Sequence, residues 1–501
     1  MAVNILTYLE QSALAYPDKP AVIDNELCYT YSELMERAKQ IGSALCLKTA
    51  PRKPIPVFLE KSANTLALFF GIVYSGCFYV LIDPGQPKAR VQKILETLQP
   101  ELMISRLSLK EQTDSLEFDG ALIYIEDLQN TPINDTVLNV IRSQTLDIDP
   151  LYGIFTSGST GIPKGVVVSH RSVIDFMEYF TDIFHITNDD VIGNQAPFDF
   201  DVSVKDIYSA IKAGATLVII PKKLFSIPMQ LLDYLEEHHV TTLIWAVSAL
   251  CVVTTLKGFT YKIPDSICKV MFSGEVMPVK HLNQWQAAYP DAMFVNLYGP
   301  TEITCNCTYH IIDRTYAPGD ILPIGKAFPN EKVFLLNETN QLISESNTVG
   351  ELCVSGTALA LGYYGNWEQT NKAFVQNPLN THYQETIYRT GDLAFYNDEG
   401  LLCFASRKDF QIKHMGHRIE LGEIEAALDK LPEIVRSCCI YREEKNRIIC
   451  FYEGSLDKKE LATQLHQILP SYMVPNQFFQ VEHMPITKNG KIDRNQLKRQ
   501  L

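Results

Sequence analysis

A loop rich in hydroxyl and glycine residues is the first segment whose residue types could do chemistry. It reads TSGSTGIPKG over residues 156–165 and follows an apolar stretch. Glycines let backbone N–H groups approach anionic oxygens, hydroxyls add further donors, and Lys164 supplies a positive charge. The segment matches neither the Walker A pattern GxxxxGK[ST] nor the dinucleotide pattern GxGxxG. We therefore interpret it as a nucleotide-binding loop of another kind, in preference to a mobile surface loop.

Further polar segments follow along the chain. They read NLYGPTE (296–302), YRTGDL (388–393), RKDFQIK (407–413), RIELGEIE (418–425) and NGKIDR (489–494). With the loop, in this order and spacing, they resemble the adenylate-forming enzymes. The resemblance is closest to the amino-acid adenylation domains of nonribosomal peptide synthetases and to the stand-alone D-alanine:carrier-protein ligases. It covers nearly the whole chain, from YTYSEL (29–34) to the end.

The resemblance implies that the chain binds ATP and joins an acid to its α-phosphorus. Because the carboxylate and the triphosphate repel each other, positive charge and hydrogen-bond donors must converge on them. By similarity, the β- and γ-phosphates would be bound by Thr156, Ser157, Gly158, Ser159, Thr160, Gly161 and Lys164.

The segment at 296–302 would hold the rest of the nucleotide. By similarity Asn296 and Tyr298 would receive the adenine, and Thr301 would meet the α-phosphate. Glu302 would be the Mg²⁺ ligand, because an uncompensated carboxylate among phosphates would repel ATP.

Three more residues complete the implied reaction machinery. Asp392 would accept hydrogen bonds from the ribose hydroxyls, with Arg407 reinforcing that contact, although an aspartate on a turn can also be a turn former. Lys491 would bridge the substrate carboxylate and the α-phosphate during adenylation. We therefore expect Thr301, Glu302 and Lys491 to be the catalytic residues.

In the family, the C-terminal domain swings about a hinge at the position of Asp409 and presents a second face for thioester formation. Here Ser406 stands where the family usually has glycine, and His414-Met415 replaces a hydrophobic–arginine pair. These departures bear on carrier docking and leave the fold prediction unchanged.

The segment FDFDVSVKDIY (198–208) resembles the start of the family's acid-binding pocket. Asp201 falls where amino-acid-activating members keep an aspartate for the α-ammonium of the substrate, and a buried aspartate needs such a partner. The alternative is that Asp201 caps the helix that follows it.

The other pocket positions, carried over by similarity, are Val202, Lys205, Trp245, Met271, Ser273, Leu297, Cys305 and Asn306. Bulky Trp245 and Met271 would shorten the pocket and favour a small amino acid such as D-alanine, although Ser273 stands where the D-alanine ligases typically have cysteine. Lys205 leaves two alternatives open: it points inward and pairs with an acidic substrate side chain, or it points outward as a solvated charge.

The elements that must position these residues follow from hydrophobic patterning. Apolar runs such as 78–82 and 242–246 alternate with helical patterns such as 229–238, which is typical of parallel sheets covered by helices. Shorter alternating stretches from about residue 320 indicate a small antiparallel unit, and a mixture of strand and helix patterns begins near Asp409.

We therefore predict an α/β fold. A large N-terminal domain (1–408) comprises two βαβ-type subdomains and a small β-barrel-like subdomain, and a small mobile α+β C-terminal domain (409–501) follows. The uncharged stretch 62–82 is interpreted as a buried helix and strand in preference to a membrane span.

Composition limits the function classes. The 501 residues are 46% hydrophobic and 20% charged, as in ordinary globular proteins, and 44 Lys+Arg against 58 Asp+Glu argue against a nucleic-acid binder. Residues 1–408 carry a formal charge of −15 and residues 409–501 carry +1. Scattered cysteines and the absence of a signal peptide predict a cytoplasmic protein, and we expect a monomer.

These observations predict an ATP- and Mg²⁺-dependent ligase that loads an amino acid onto the phosphopantetheine of a separate carrier protein. Since no condensation or carrier segment is fused to it, a stand-alone enzyme is expected. The alternatives are an acyl- or aryl-CoA synthetase, which would have no use for Asp201, an enzyme for acidic amino acids, and a catalytically silent nucleotide-binding protein.

Overall fold

The computed structural model describes residues 2–128, 130–158, 162–486 and 492–501, with the side chain of Asn495 left aside. The fold is of the α/β type, and its strands and helices follow the hydrophobic patterns of the sequence. The strands are β1 (Pro20–Ile23), β2 (Cys28–Thr30), β3 (Pro54–Phe58), β4 (Phe78–Ile82), β5 (Leu102–Ser105), β6 (Ala121–Tyr124), β7 (Pro150–Thr156), β8 (Lys164–Ser169), β9 (Val191–Asn194), β10 (Thr216–Ile219), β11 (Thr242–Ala246), β12 (Lys269–Ser273), β13 (Met293–Tyr298), β14 (Thr308–Ile312), β15 (Lys326–Ala327), β16 (Glu331–Leu336), β17 (Leu342–Ile343), β18 (Gly350–Gly356), β19 (Gly362–Tyr363), β20 (Phe374–Gln376), β21 (Thr386–Tyr396), β22 (Leu402–Arg407), β23 (Gln411–His414), β24 (His417–Glu420), β25 (Ile434–Arg442), β26 (Arg447–Gly454) and β27 (Gln477–Gln480).

The helices alternate with these strands through most of the chain. They are α1 (Leu6–Ala15), α2 (Tyr31–Leu45), α3 (Ala63–Tyr74), α4 (Lys88–Leu98), α5 (Lys110–Ser115), α6 (Ile125–Leu128), α7 (Asp135–Gln144), α8 (His170–Ile183), α9 (Val202–Ala213), α10 (Pro228–Glu237), α11 (Val247–Thr255), α12 (Val279–Ala288), α13 (Trp367–Ala373), α14 (Leu421–Leu428), α15 (Lys458–Ile468) and α16 (Arg494–Lys498).

Local chemistry explains several helix starts. Thr30 and Glu33 form a capping box at α2, in which the Thr30 hydroxyl accepts the Glu33 N–H and the Glu33 carboxylate accepts the Thr30 N–H. Ser62 caps α3, which is followed by β4, so the uncharged stretch is a buried helix and a buried strand. Within the described residues no helix is long and apolar enough to cross a bilayer.

Two largely parallel sheets carry most of the chain. One has the order β15-β14-β13-β12-β11-β9-β10-β1-β2 and the other β19-β8-β7-β4-β3-β5-β6. A third sheet of antiparallel strands has the order β17-β16-β18-β21-β20, with β22 paired to β21. The expected α/β architecture of two βαβ-type subdomains, a small antiparallel subdomain and an α+β C-terminal region is confirmed.

The chain divides into two compact units. The first comprises Met1–Asp83, Pro100–Ile154 and Val166–Lys408, and the second comprises Pro84–Gln99, Phe155–Gly165 and Asp409–Leu501. The second unit thus includes α4 and the hydroxyl-rich loop as well as the residues predicted to form the C-terminal domain. Its hairpin β23–β24 turns through Met415 and Gly416, both with positive φ, as a two-residue hairpin of the primed type requires.

Candidate functional site

The carboxyl ends of parallel strands lie at one edge of the nine-stranded sheet of the first unit. Asn194 ends β9, Ser273 ends β12 and Tyr298 ends β13, and these strands run parallel with β11 between them. Loops at this edge of an open α/β sheet are where ligands usually bind. The predicted pocket residues come from β11, β12 and β13, from the turn after β13, and from α9 with its N-cap residue Asp201.

The turn after β13 has an unusual backbone. A Cβ atom on Gly299 would lie 2.5 Å from the Cα of Asn306, so the NLYGPTE segment needs glycine at this point. Thr304 and Cys305 follow with φ of 51° and 81°, in the left-handed region that β-branched residues rarely adopt. Such strain is typical of functional loops.

Asp392 lies in a polar cluster of the first unit. The Arg407 guanidinium donates to one oxygen of its carboxylate at 2.5 Å, and the Tyr298 hydroxyl donates to the other. Asp392 is buried, and its backbone N–H bonds the Thr390 hydroxyl. The structure therefore brings together Tyr298, Asp392 and Arg407, which were predicted for adenine and ribose, whereas the Asn296 amide donates to the Pro323 carbonyl at 2.8 Å.

Glu302 is fully buried in the short turn that follows Pro300. One oxygen of its carboxylate accepts a hydrogen bond from the Tyr363 hydroxyl at 2.7 Å. Mg²⁺ is often held by one or two carboxylates together with substrate phosphates, so a single carboxylate fits this role. Across the described parts of the chain no cluster of three or more His, Cys, Asp or Glu residues could form a metal cage by itself.

Asp201 stands at the N-terminal end of α9, in the N-cap position. Its side chain makes no capping hydrogen bond to the helix and instead accepts from the Thr301 hydroxyl at 2.7 Å. The helix-capping alternative is therefore wrong. Asp201 and Thr301, predicted to contact the α-ammonium and the α-phosphate, are adjacent.

Lys205 points inward, so the alternative of an outward, solvated helix charge is wrong. Its side chain is completely buried, and its ammonium donates to the Ser273 hydroxyl at 3.0 Å and to the Asn306 carbonyl oxygen at 2.8 Å. The neighbouring Cys305 thiol is also buried, and burial raises its pKa to about 12 despite the positive charge of Lys205. The predicted residues Val202, Met271 and Leu297 are also buried, and Met271 and Leu297 belong to the same core cluster as Cys305.

Trp245 does not belong to this group, so its predicted role in the pocket is wrong. Its indole N–H donates to the Gly193 carbonyl at 2.8 Å, and its ring packs on Phe225 in a core cluster separate from that of Met271. Strand side chains alternate between faces, and Ile244, next to Trp245 on β11, lies in the cluster that contains Met271. Trp245 thus packs on the opposite face of the sheet.

A buried polar network that the sequence analysis missed lies beside Lys205. The Asp206 carboxylate accepts from the Asn194 amide at 2.6 Å, and the Lys61 ammonium donates to the Asn194 side-chain oxygen at 3.0 Å. Burial raises the pKa of Asp206 and lowers the pKa of Lys61, each to about 7. An aspartate inside an otherwise apolar helix face was the available sequence signal.

The hydroxyl-rich loop lies in the second unit. The Ser157 hydroxyl donates to the Arg418 carbonyl at 2.7 Å and accepts from the Glu420 N–H at 3.2 Å. The Gly158 N–H donates to the Glu423 carboxylate at 3.2 Å. The Lys164 ammonium lies 3.7 Å from the Glu420 carboxylate.

The rest of the loop is partly described. The Thr156 hydroxyl is buried and has no hydrogen-bond partner among the described residues, which leaves it available to a ligand oxygen. A Cβ on Gly158 would lie 2.0 Å from the Ile162 carbonyl, so the loop requires glycine there. The predicted Ser159, Thr160, Gly161 and Lys491 lie outside the described residues.

Asp409, the predicted hinge, accepts a hydrogen bond from the Gln411 N–H at 3.2 Å and begins the last segment of the second unit. Its role as a hinge remains a prediction.

Comparisons with known proteins indicate the family to which the chain belongs. The family model "AMP-binding enzyme" matches residues 9–364, and the model of the AMP-binding enzyme C-terminal domain matches residues 423–491. The chain is 32% identical over 495 residues to tyrocidine synthase 3 of Brevibacillus parabrevis, a match that covers 98% of this chain and 7% of that protein. It is 31% identical over 510 residues to zwittermicin A synthase ZmaJ of Bacillus cereus, covering 99% and 95% of the two.

Solved structures share the fold. The Vibrio cholerae adenylation domain AlmE, in complex with glycyl-adenosine-5'-phosphate, has a TM-score of 0.86 at 22% identity and covers 100% of this chain and 98% of its own. PA1221, an NRPS protein containing adenylation and PCP domains, has a TM-score of 0.83 at 24% identity, and the match covers 100% of this chain and 84% of PA1221. The chain spans only 7% of tyrocidine synthase 3, which is a large synthase, and 95% of ZmaJ. With more than half of its residues matched, the chain belongs to the AMP-binding enzyme family and is an adenylate-forming enzyme of the nonribosomal peptide synthetase type.

Proposed function

We propose that the chain activates an α-amino acid as an aminoacyl adenylate, with release of pyrophosphate, and then passes the aminoacyl group to the phosphopantetheine thiol of a carrier protein. Family membership supports the first half-reaction, since adenylate formation is what the matched family does. That the acid is an amino acid, and that the acceptor is a carrier protein, are the further parts of the proposal.

The observation that carries the amino-acid assignment is the environment of Asp201. Its carboxylate lies at the strand-end edge of the sheet, is half-buried, and contacts the Thr301 hydroxyl instead of its own helix. A carboxylate withdrawn from water is costly unless a cation or donors compensate it. The α-ammonium of an amino acid would be a suitable cation, and it would lie beside Thr301, the residue proposed to meet the α-phosphate.

ATP and Mg²⁺ would be bound by the polar motifs of the sequence. We assign the phosphates to the hydroxyl-rich loop, the adenosine to Asn296, Tyr298 and Asp392, and the metal to Glu302. The buried Thr156 hydroxyl without a described partner supports the phosphate assignment, and the carboxylate of Glu302 supplies the oxygen ligand that Mg²⁺ prefers. When bound, the metal would neutralise charge on the triphosphate.

A carrier protein as acceptor is supported by PA1221, a structural neighbour that contains both an adenylation domain and a PCP domain. A separate carrier is compatible with ZmaJ, a synthase of nearly the length of this chain. All 12 cysteines are free, which fits the reducing cytoplasm that we assign to it. We do not extend the proposal to D-alanine, because Trp245 packs on the other face of the sheet and does not shorten the pocket.

ATP–pyrophosphate exchange tests the assignment of the α-ammonium. Wild-type enzyme should exchange with an amino acid and fail with the matching acid that lacks the amine, by roughly 30- to 5,000-fold in kcat/KM, because about 2–5 kcal/mol is lost when the substrate brings no cation to the carboxylate. Asp201→Ala should erase most of this preference, whereas Asp182→Ala, at an exposed aspartate of α8, should retain it.

Equal turnover of an amino acid and its amine-free analogue would contradict the proposal and favour an acyl- or aryl-CoA synthetase. Exchange with no acid of any class would favour a catalytically silent protein.

A further inference from the structure

The Lys205 ammonium is buried, and its hydrogen-bond partners are neutral. It is completely buried, and its two hydrogen-bond acceptors are the Ser273 hydroxyl and the Asn306 amide oxygen. Within the described part of the chain Lys205 forms no ion pair, although its charge interacts with the neighbouring Asp206 carboxylate. A buried ammonium without an opposite charge is expensive, so a protein that keeps one usually has a ligand that compensates it.

The carboxylate of Asp206 lies behind Lys205 and interacts with its charge, but among the described residues the two groups form no hydrogen bond or ion pair. Asp206, the next residue, gives one carboxylate oxygen to the Asn194 amide, and its other oxygen is buried without a partner among the described residues. Lys61 donates to the same Asn194 and to the backbone carbonyl of Gln195. Burial raises the pKa of Asp206 to about 7, although the charges of Lys205 and Lys61 both oppose this rise. One buried carboxylate therefore faces two amines, so an anionic group of a ligand would complete the charge balance of this network.

Lys205 and Asp201 lie on the same face of α9. The two residues are four apart, Asp201 at the N-terminal end of α9 and Lys205 one turn further along, so both lie on one face with Cβ atoms about 5–6 Å apart. The Lys205 ammonium and the Cys305 thiol both donate to the Asn306 side-chain oxygen, and the charges of Lys205 and Asp201 both influence the pKa of that buried thiol. An ammonium held at Asp201 and a carboxylate held at Lys205 could therefore belong to one small molecule.

We propose that Lys205 binds the side-chain carboxylate of the substrate, so that the chain activates an acidic α-amino acid. This inference rests on the proposed function, in which Asp201 binds the α-ammonium of the same molecule. Ser273 and Asn306 would orient the Lys205 ammonium, and the Lys61–Asn194–Asp206 network would hold α9 in place beside it.

The wild-type enzyme tests this substrate class by itself. ATP–pyrophosphate exchange should be measured with both enantiomers of aspartate and glutamate, with asparagine and glutamine as near-isosteric neutral controls, and with alanine. At least one acidic amino acid should exceed its amide by about 30-fold or more in kcat/KM, the factor expected when a buried charge pair replaces an unpaired charge.

A substitution then assigns the preference to Lys205. Lys205→Met keeps a long unbranched side chain and removes the charge, so the ratio of acid to amide should fall by about 30-fold or more. The matched control is Lys212→Met, on the same helix, where Lys212 pairs with Glu178 away from the pocket. Thermal unfolding of both variants checks that they fold.

The outcomes separate the two proposals. A neutral amino acid that exchanges as well as every acidic one in the wild type would overturn the assignment of Lys205 and leave amino-acid activation intact. The same holds if Lys205→Met folds and its acid-to-amide ratio is unchanged. Exchange with amine-free acids and with no amino acid would overturn the proposed function and the inference together.

Discussion

Single buried charges in the first unit fall into two kinds. The carboxylate of Asp190 is buried beside Lys269, whose ammonium donates to both of its oxygens at 2.7 and 2.8 Å. Burial alone would raise the pKa of Asp190, but hydrogen bonds from Lys269 and Thr242 outweigh it and hold that pKa below its ordinary value. This is a satisfied structural pair, whereas Lys205 has neutral partners. The difference separates a charge that stabilises the fold from one that awaits a ligand.

Lys491 is the residue for which the resemblance makes the sharpest prediction. If its ammonium bridges the substrate carboxylate and the α-phosphate, Lys491→Ala should lower the rate of adenylate formation by a few orders of magnitude, since about 1.4 kcal/mol of lost transition-state stabilisation is tenfold. Thioester formation from a preformed adenylate should persist. Pyrophosphate exchange and single-turnover carrier loading measure the two steps, and equal losses in both would refute the separation of roles.

At the scale of elements, the hydroxyl-rich loop is paired with the start of α14. The Glu423 carboxylate accepts the Gly158 N–H and also pairs with Arg90 at 2.8 Å, with both side chains of the pair buried. Burial raises the pKa of Glu423 even though Arg90 opposes this. Since one N–H group cannot fully serve two acceptors, a phosphate that binds the loop must compete with this carboxylate.

Glu423→Gln should therefore lower the KM for ATP in the exchange reaction by about fivefold. A hydrogen bond to a charged acceptor is worth about 1 kcal/mol more than one to a neutral acceptor, so the amide competes less well with phosphate. Glu425→Gln is the matched control on the same helix, because Glu425 pairs with Arg494 at 2.7 Å and has no contact with the loop among those described. An unchanged KM in Glu423→Gln, with normal thermal stability, would show that the contact does not compete with ATP.

For the whole molecule, charge is distributed unevenly along the chain. Residues 1–408 carry −15 and residues 409–501 carry +1, so the C-terminal part is the less repulsive face for an acidic partner. Favourable long-range attraction speeds the encounter of two proteins and is screened by salt.

Loading of an acidic, phosphopantetheinylated carrier should accordingly slow as ionic strength rises from about 0.01 to 0.15 M, where the Debye length falls from about 30 to 8 Å. Pyrophosphate exchange, measured in the same buffers, should change little because its substrates are small. A carrier-loading rate that does not respond to salt would leave the charge asymmetry without a role in docking.

Much of the architecture could be read directly from local patterns. The apolar run 78–82 is β4, 242–246 is β11, and the helical pattern at 229–238 is α10 within one residue at each end. These elements depend on hydrophobic periodicity and on caps such as Thr30–Glu33, which are properties of neighbouring residues. The motif order likewise sufficed to identify the family, because the order and spacing of the hydroxyl-rich loop and the five segments that follow it do not depend on the details of packing.

Only the tertiary structure decided which side chains face the pocket. Adjacent residues of a strand point to opposite faces of the sheet. Ile244 therefore packs in the cluster that contains Met271, whereas Trp245, the next residue of β11, packs on the other face. From the sequence alone, Lys205 could have been a solvated helix charge. Asp206, Asn194 and Lys61 come from α9, β9 and the segment after β3, and only folding brings them into contact. The sequence by itself thus determined the fold class and the family, whereas the burial of Lys205 among neutral partners, and with it the proposed substrate class, emerged from long-range packing that local patterns do not encode.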